Sequence, residues 1–163
     1  MECLAEALSL RRRCMTCSTG KVHADGPFHA AAIFLKNVSP VGLVSGILSY
    51  GENSFYVGDV GKWTVHAESS AISRLPSCPR KKRLIPVDML VIRTSRSGVL
   101  GLSRPCLHCV VTMCRTLPER GYRLDRVHYS DENRGIKAVK LHDLVREDQY
   151  LSMYYTLRQM RRS

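Results

Sequence analysis

No apolar run in this chain approaches the ~20 residues needed to span a bilayer, so no membrane-spanning helix is expected within it. Met1 to Leu10 lack both a basic leader and a long apolar core, and no secretory signal is expected there. There is no internal repeat, no low-complexity segment and no obvious linker. At 163 residues and 44% hydrophobic composition the chain can bury one core but is short for two ordinary domains, so a single domain over 1–163 is expected. The cysteines, seven in all, are odd in number, which argues against a disulfide framework and for a reducing compartment. An intracellular, cytoplasmic protein is the expectation, with the nucleus left open. Acidic residues are also few: 14 Asp and Glu against 25 Lys and Arg leave a net charge of +11, which favours polyanionic or phosphorylated partners.

The positive charge is strung through Arg11-Arg12-Arg13, Arg80-Lys81-Lys82-Arg83 and the tail residues Arg158, Arg161 and Arg162. Each cluster also has a plain reading as a solvated surface or as charge complementing a helix C-terminus, so basic residues alone do not establish nucleic-acid binding.

Chemistry concentrates in two segments: His66-Ala67-Glu68, and well downstream Pro105-Cys106-Leu107-His108-Cys109. One imidazole and two thiols are three metal ligands. A structural zinc is usually closed by four, whereas a catalytic zinc has three protein ligands and an open position. Two thiolates and an imidazole leave such a site with little net charge, so the metal alone activates water only partly; zinc in water brings the pKa to about 9, and good sites reach about 7. A neighbouring carboxylate must then help, and Glu68, outside the ligand set, is placed to move protons. A positioned acid/base is typically worth ~10²–10⁴ in rate.

Spacing supports this reading. His66 to Leu75 is apolar at Ala67, Ala71, Ile72 and Leu75, and Cys106 to Leu117 at Val110, Met113, Cys114 and Leu117, both helical patterns. The ligands thus fall at helix starts. Cys106 and Cys109, at i and i+3, face the same way, and Pro105 fits a helix entrance. The positive end of each helix dipole favours thiolate over thiol.

The H-x-E…P-C-x-x-C pattern is the signature of zinc deaminases that act on nucleobases. Through Thr64-Val65-His66-Ala67-Glu68 and Arg104-Pro105-Cys106-Leu107-His108-Cys109, the chain resembles the cytidine deaminase superfamily, from about Phe28 to about Ser130. That superfamily includes cytidine, deoxycytidylate and tRNA adenosine deaminases and the polynucleotide cytosine deaminases. The resemblance implies one zinc per chain and hydrolytic deamination. It also implies an α/β, three-layer cytidine deaminase-like fold, with a mixed five-stranded sheet flanked by helices and the zinc between two helices on one side. It does not choose the base.

The strand and helix signals agree with an α/β sheet. Leu4, Ala7, Leu8, Arg11 and Met15 suggest an amphipathic first helix. Ala30 to Leu35 and Val41 to Leu48 read as strands around the turn formers Asn37, Ser39 and Pro40. A hairpin precedes His66, Pro79 to Pro86 is a basic loop, and Val87 to Thr94 and Arg126 to Ser130 are further strands. Gly135 to Leu141 adds a fifth strand, and Leu144, Val145, Leu151 and Tyr155 suggest a last helix.

Asn53, in Ser49-Tyr50-Gly51-Glu52-Asn53, resembles the superfamily's Gly-x-Asn segment that contacts sugar or base; the competing reading is a turn-forming Asn. Glu52 stands where an aromatic residue is common. The resemblance also puts the backbone at Ala67 against one side of a flat ring and that of Ser103, Arg104 and Pro105 against the other, with Arg104 a candidate for a phosphate. Phe55, Tyr56 and Trp63 could stack on a base or pack in the core. Cys14-Met15-Thr16-Cys17, with His23 and His29 nearby, could clip a second metal or pack as small hydrophobes. Cys3, Cys78 and Cys114 are expected to be inert, and His108, between Cys106 and Cys109, is a candidate for reaching substrate or the groups around the metal.

Three functions remain open at this point. The first is a zinc-dependent hydrolase of C–N bonds converting cytosine to uracil in a nucleoside or nucleotide, with release of ammonia. The second is deamination of cytosine or adenosine within single-stranded DNA or RNA, with the base out of the stack. The third is a zinc-stabilised nucleic-acid-binding module without catalysis, against which the intact Glu68 speaks. Expected partners are a cytosine-containing nucleoside or nucleotide or a single-stranded nucleic acid, and no membrane; homo-oligomerisation is left open.

Overall fold

The fold is built around β5 (Ile85–Thr94), whose unbroken buried run from Val87 to Ile92 marks a strand covered on both faces. It belongs to a computed structural model that describes residues 28–36, 46–58, 61–78, 83–131, 133 and 135–147, with backbone alone for 55–58 and 61–63. β1 (Phe28–Leu35) pairs antiparallel with β5 on one side and with β2 (Ile47–Glu52) on the other. On the opposite side β7 (Tyr122–Ser130) runs parallel to β5, and β8 (Ile136–Lys140) closes the sheet antiparallel to β7. The result is a mixed sheet in the order β2-β1-β5-β7-β8, with β6 (Leu100–Gly101) as a two-residue extension on β5. β3 (Ser54–Gly58) and β4 (Gly61–Val65) form a separate antiparallel hairpin.

Helices pack on the sheet to give the α/β architecture. α1 (Ala67–Arg74) contributes Ala67, Ala71 and Ile72, and α2 (Leu107–Glu119) contributes Val110, Met113 and Leu117, to one core with Ala31, Ile33, Met89, Val91, Val127 and Tyr129 of the strands. Leu144 of the short α3 (Leu141–Arg146) joins the same core. Because side chains alternate along a strand, Ala30, Leu90 and Ile92 point to the other face, where Phe28, Phe34 and Ile136 pack against them.

Against the sequence reading, five strands and the hairpin are present, with shifted ends. β1 starts two residues early, at Phe28, and β7 four residues early, because Tyr122 and Leu124 alternate with charged Arg123 and Asp125. Of the expected strand Val41 to Leu48, Ile47 and Leu48 belong to β2, which continues to Glu52. Pairing with β1, Ala31 to Gly51 and Ala30 to Glu52, draws into the ladder a polar stretch that reads locally as a loop. Residues 41–45, the first helix over Leu4 to Met15 and the part of the last helix carrying Leu151 and Tyr155 lie outside the described residues. Among the described residues no helix is long and apolar enough to cross a membrane.

Candidate metal centre

The two helix starts meet. His66 is the N-cap of α1 and Cys106 the N-cap of α2, both in extended backbone, and Cys109 lies in the first turn of α2. His66 Nδ1 is 3.2 Å from Cys109 Sγ and 3.4 Å from Cys106 Sγ, and the sulfurs are 3.7 Å apart. Ligands ~2.3 Å (sulfur) and ~2.0–2.1 Å (nitrogen) from a tetrahedral zinc would stand roughly 3.5–3.8 Å apart. The triangle is therefore close to the size that zinc demands, and the three residues form a buried group that could hold a metal ion such as zinc.

Ionisation is poised for metal uptake. The hydrogen bond shared with Cys109, then that with His66, holds the Cys106 thiol down to about 4 against the opposing effect of burial. Cys109, sharing the proton and buried, is pushed up. His66 is raised, first by its hydrogen bond to Cys106. The shared proton favours thiolate at Cys106 and thiol at Cys109, and sulfur ligands of this kind suit a soft metal.

No family model, no curated protein and no solved structure matches this chain.

Glu68 sits one step inside α1, fully buried at 1% exposure. Its Oε2 has no hydrogen-bond partner, and burial raises its pKa. The charges of His66 and Cys106 act on it, which places the carboxyl beside the metal group yet outside the ligand set.

Asn53 bridges two elements. Its N–H donates to the His29 carbonyl at 3.1 Å, and its Oδ1 accepts the Ala67 N–H at 2.7 Å. The side chain thereby satisfies a donor that the start of α1 would otherwise leave without a partner. Oδ1 accepts that one bond, and the amide NH2 can act only as a donor. Gly51, two residues earlier, is needed for close approach: a Cβ there would run into backbone atoms of Ala67, Ser70 and Ala71.

Ala67 and Pro105 are buried at the two helix starts. Arg104 is half-buried, and its guanidinium is paired with Glu147 at 2.9 Å. His108 is exposed on α2. Cys78, Cys106, Cys109 and Cys114 are all free thiols, Cys114 exposed. Cys3, Cys14, Cys17, His23, Arg80 to Lys82 and the tail arginines lie outside the described residues, as do the side chains of Phe55, Tyr56 and Trp63.

Sequence reasoning missed what holds the Cys106 segment. Ser103 donates to the Val91 carbonyl at 2.8 Å and receives the Ser130 N–H at 2.8 Å, while Ser130 Oγ donates to the Gly101 carbonyl at 2.6 Å. Both serines are buried, at 2% and 0% exposure. They tie the approach to Pro105 onto the ends of β5 and β7. Nothing in the residues Ser103-Arg104-Pro105 signals this, because the partners come from distant strands.

Proposed function

We propose that this protein is a zinc-dependent hydrolytic deaminase that converts cytosine to uracil in a nucleoside, nucleotide or nucleic acid, releasing ammonia. The observation that carries the reading is Glu68: a fully buried carboxyl with an unpartnered oxygen, next to three convergent ligands and not one of them. A structural metal site has no use for such a group, whereas a hydrolytic one needs it. The nucleobase specificity rests on the H-x-E…P-C-x-x-C pattern of His66, Glu68, Pro105, Cys106 and Cys109.

His66, Cys106 and Cys109 would hold the zinc, and the metal when bound supplies Lewis-acid activation of water. Glu68 accepts a proton from the attacking water, passes it to the ring nitrogen, and delivers a proton to the departing amine, so that water and the amino base become the carbonyl base and ammonia. A carboxyl whose pKa is raised by burial suits this traffic, since an acid/base works best when its pKa lies near the working pH. The amide NH2 of Asn53 and the backbone at Ala67 and at Arg104-Pro105 are the proposed substrate contacts, with phosphate recognition by Arg104 requiring release from Glu147.

The net charge of +11 favours a second reading, the same chemistry on cytosine or adenosine in single-stranded DNA or RNA. One assay separates these: zinc-loaded protein is incubated with cytidine, deoxycytidylate, adenosine and single-stranded oligonucleotides. The expected result is uracil, with ammonia, from at least one cytosine substrate. Hypoxanthine alone would move the activity to adenine, and no product from any substrate would overturn the deaminase reading.

A further inference from the structure

Strand alternation sets a polar pair beside the metal centre. Ala31 and Ile33 of β1 face α1 and α2, and residues two apart on a strand share a face, so His29 lies on that same face towards the start of β1. On β5 the same count puts Arg93 in line with Met89 and Val91, and the register places Arg93 directly opposite His29. Such neighbours have Cβ atoms ~4.5–5.5 Å apart. One strand further over, the His29 carbonyl anchors Asn53, which in turn holds Ala67 between His66 and Glu68.

His29 is a side chain with unmet hydrogen-bonding capacity. Its Nε2 is buried and has no partner, and the imidazole lies near enough for His66 and Cys106 to act on its charge. Burial first, then His66 and Arg93, hold its pKa down to about 4, so at neutral pH the ring is an uncharged donor. Arg93 is exposed and pairs with no carboxylate among the described residues, while Arg104 is already occupied by Glu147. A neutral N–H and, at the strand position opposite it, an arginine make a donor set for a phosphate oxygen, and a bound anion would satisfy both.

We propose that His29 and Arg93 form a phosphate subsite, so that the substrate is a nucleotide unit and not a free nucleoside. Arg93 pairs with the phosphate and the His29 Nε2–H donates to one of its oxygens. This rests on the deaminase reading for the identity of the base, and its test is a binding measurement that does not depend on turnover.

Zinc-loaded parent, Arg93→Ala, Arg93→Glu, His29→Leu and Arg104→Ala are titrated calorimetrically with deoxycytidine, deoxycytidylate, adenosine, adenylate and a single-stranded oligonucleotide. Zinc content and melting temperature verify each fold. The parent should bind one phosphorylated ligand at least about tenfold more tightly than its nucleoside, the effect of a charge-assisted contact. Arg93→Ala should erase that preference and Arg93→Glu reverse it, with nucleoside affinity within about twofold of the parent. His29→Leu should reduce it, and a preference lost in Arg104→Ala but kept in Arg93→Ala would assign the phosphate to Arg104 and overturn the subsite. Preference for the mononucleotide assigns a terminal phosphate, and preference for the oligonucleotide a diester. Equal parental affinity for nucleoside and nucleotide, no binding of any ligand, or a preference that survives both Arg93 variants would overturn the subsite. Selective nucleotide binding without ammonia release would sink the deaminase reading and leave the subsite standing; ammonia release without phosphate preference would do the reverse.

Discussion

Glu68 is held where its charge is least welcome, and the proposed proton transfer would give it a use there. Replacing it by Gln keeps the shape but cannot cycle a proton. Zinc content should stay at the parent value while turnover falls by ~10²–10⁴, roughly 3–5 kcal/mol of barrier. The melting temperature should match or exceed the parent's, because a buried ionisable carboxyl is replaced by a neutral amide of the same shape. Near-normal turnover in zinc-loaded Glu68→Gln would end the proton-carrier role. His29 supplies the pH prediction. Its folded pKa, about 4, lies below the ordinary 6.5, so between these values the unfolded chain takes up a proton that the folded chain refuses. Its contribution is complete above pH 6.5 and is lost as pH falls towards 4, at most ~3 kcal/mol. Denaturant titrations from pH 7 to 4 should show a stability slope that His29→Gln flattens.

At the scale of elements, the centre depends on how closely α1 lies on β2. Gly51 has no side chain where the backbone of Ala67, Ser70 and Ala71 passes. Gly51→Ala should push α1 outward, costing ~1–3 kcal/mol as overpacking does, and should weaken zinc retention because His66 caps that helix. Unchanged melting temperature and zinc affinity would show that the helix moves freely of the site. On the other side, Cys106 and Cys109 arrive together on the first turn of α2, so Cys106→Ala should abolish most zinc binding as read by metal analysis. Full zinc occupancy in that variant, with loss instead in Cys14→Ala, would relocate the site to the N-terminal C-x-x-C.

For the whole molecule, the net charge of +11 becomes a measurement of salt dependence. If single-stranded nucleic acid is a partner, neutralising Arg80, Lys81, Lys82 and Arg83 together, or Arg158, Arg161 and Arg162 together, should weaken oligonucleotide binding. It should also flatten the logarithmic salt slope by about 0.7 for each phosphate that is no longer neutralised. Binding of deoxycytidylate should hardly respond to either change. No oligonucleotide affinity at low salt would exclude the polynucleotide reading.

The His/Cys/Cys group that could hold a metal and the α/β class were legible in the residues because each is a local matter. Metal chemistry restricts the residue types, i, i+3 spacing puts Cys106 and Cys109 on one side of a turn, and helix and strand periodicities are written within a few residues of themselves. His66 and Cys106 accordingly sit at helix starts, as their surroundings suggest. What local order could not convey is pairing between distant segments. The polar run Ser49 to Glu52 becomes a strand only because β1 offers it a ladder. Ser103 and Ser130 become the anchor of the Cys106 segment only because β5 and β7 end side by side. His29, in the sequence only a neighbour of a C-x-x-C pair, reaches the helix face opposite Arg93 through the register of β1 on β5. Residue chemistry and short-range periodicity set the candidate ligands and the class; sheet register, a long-range property, decided which other side chains stand around them.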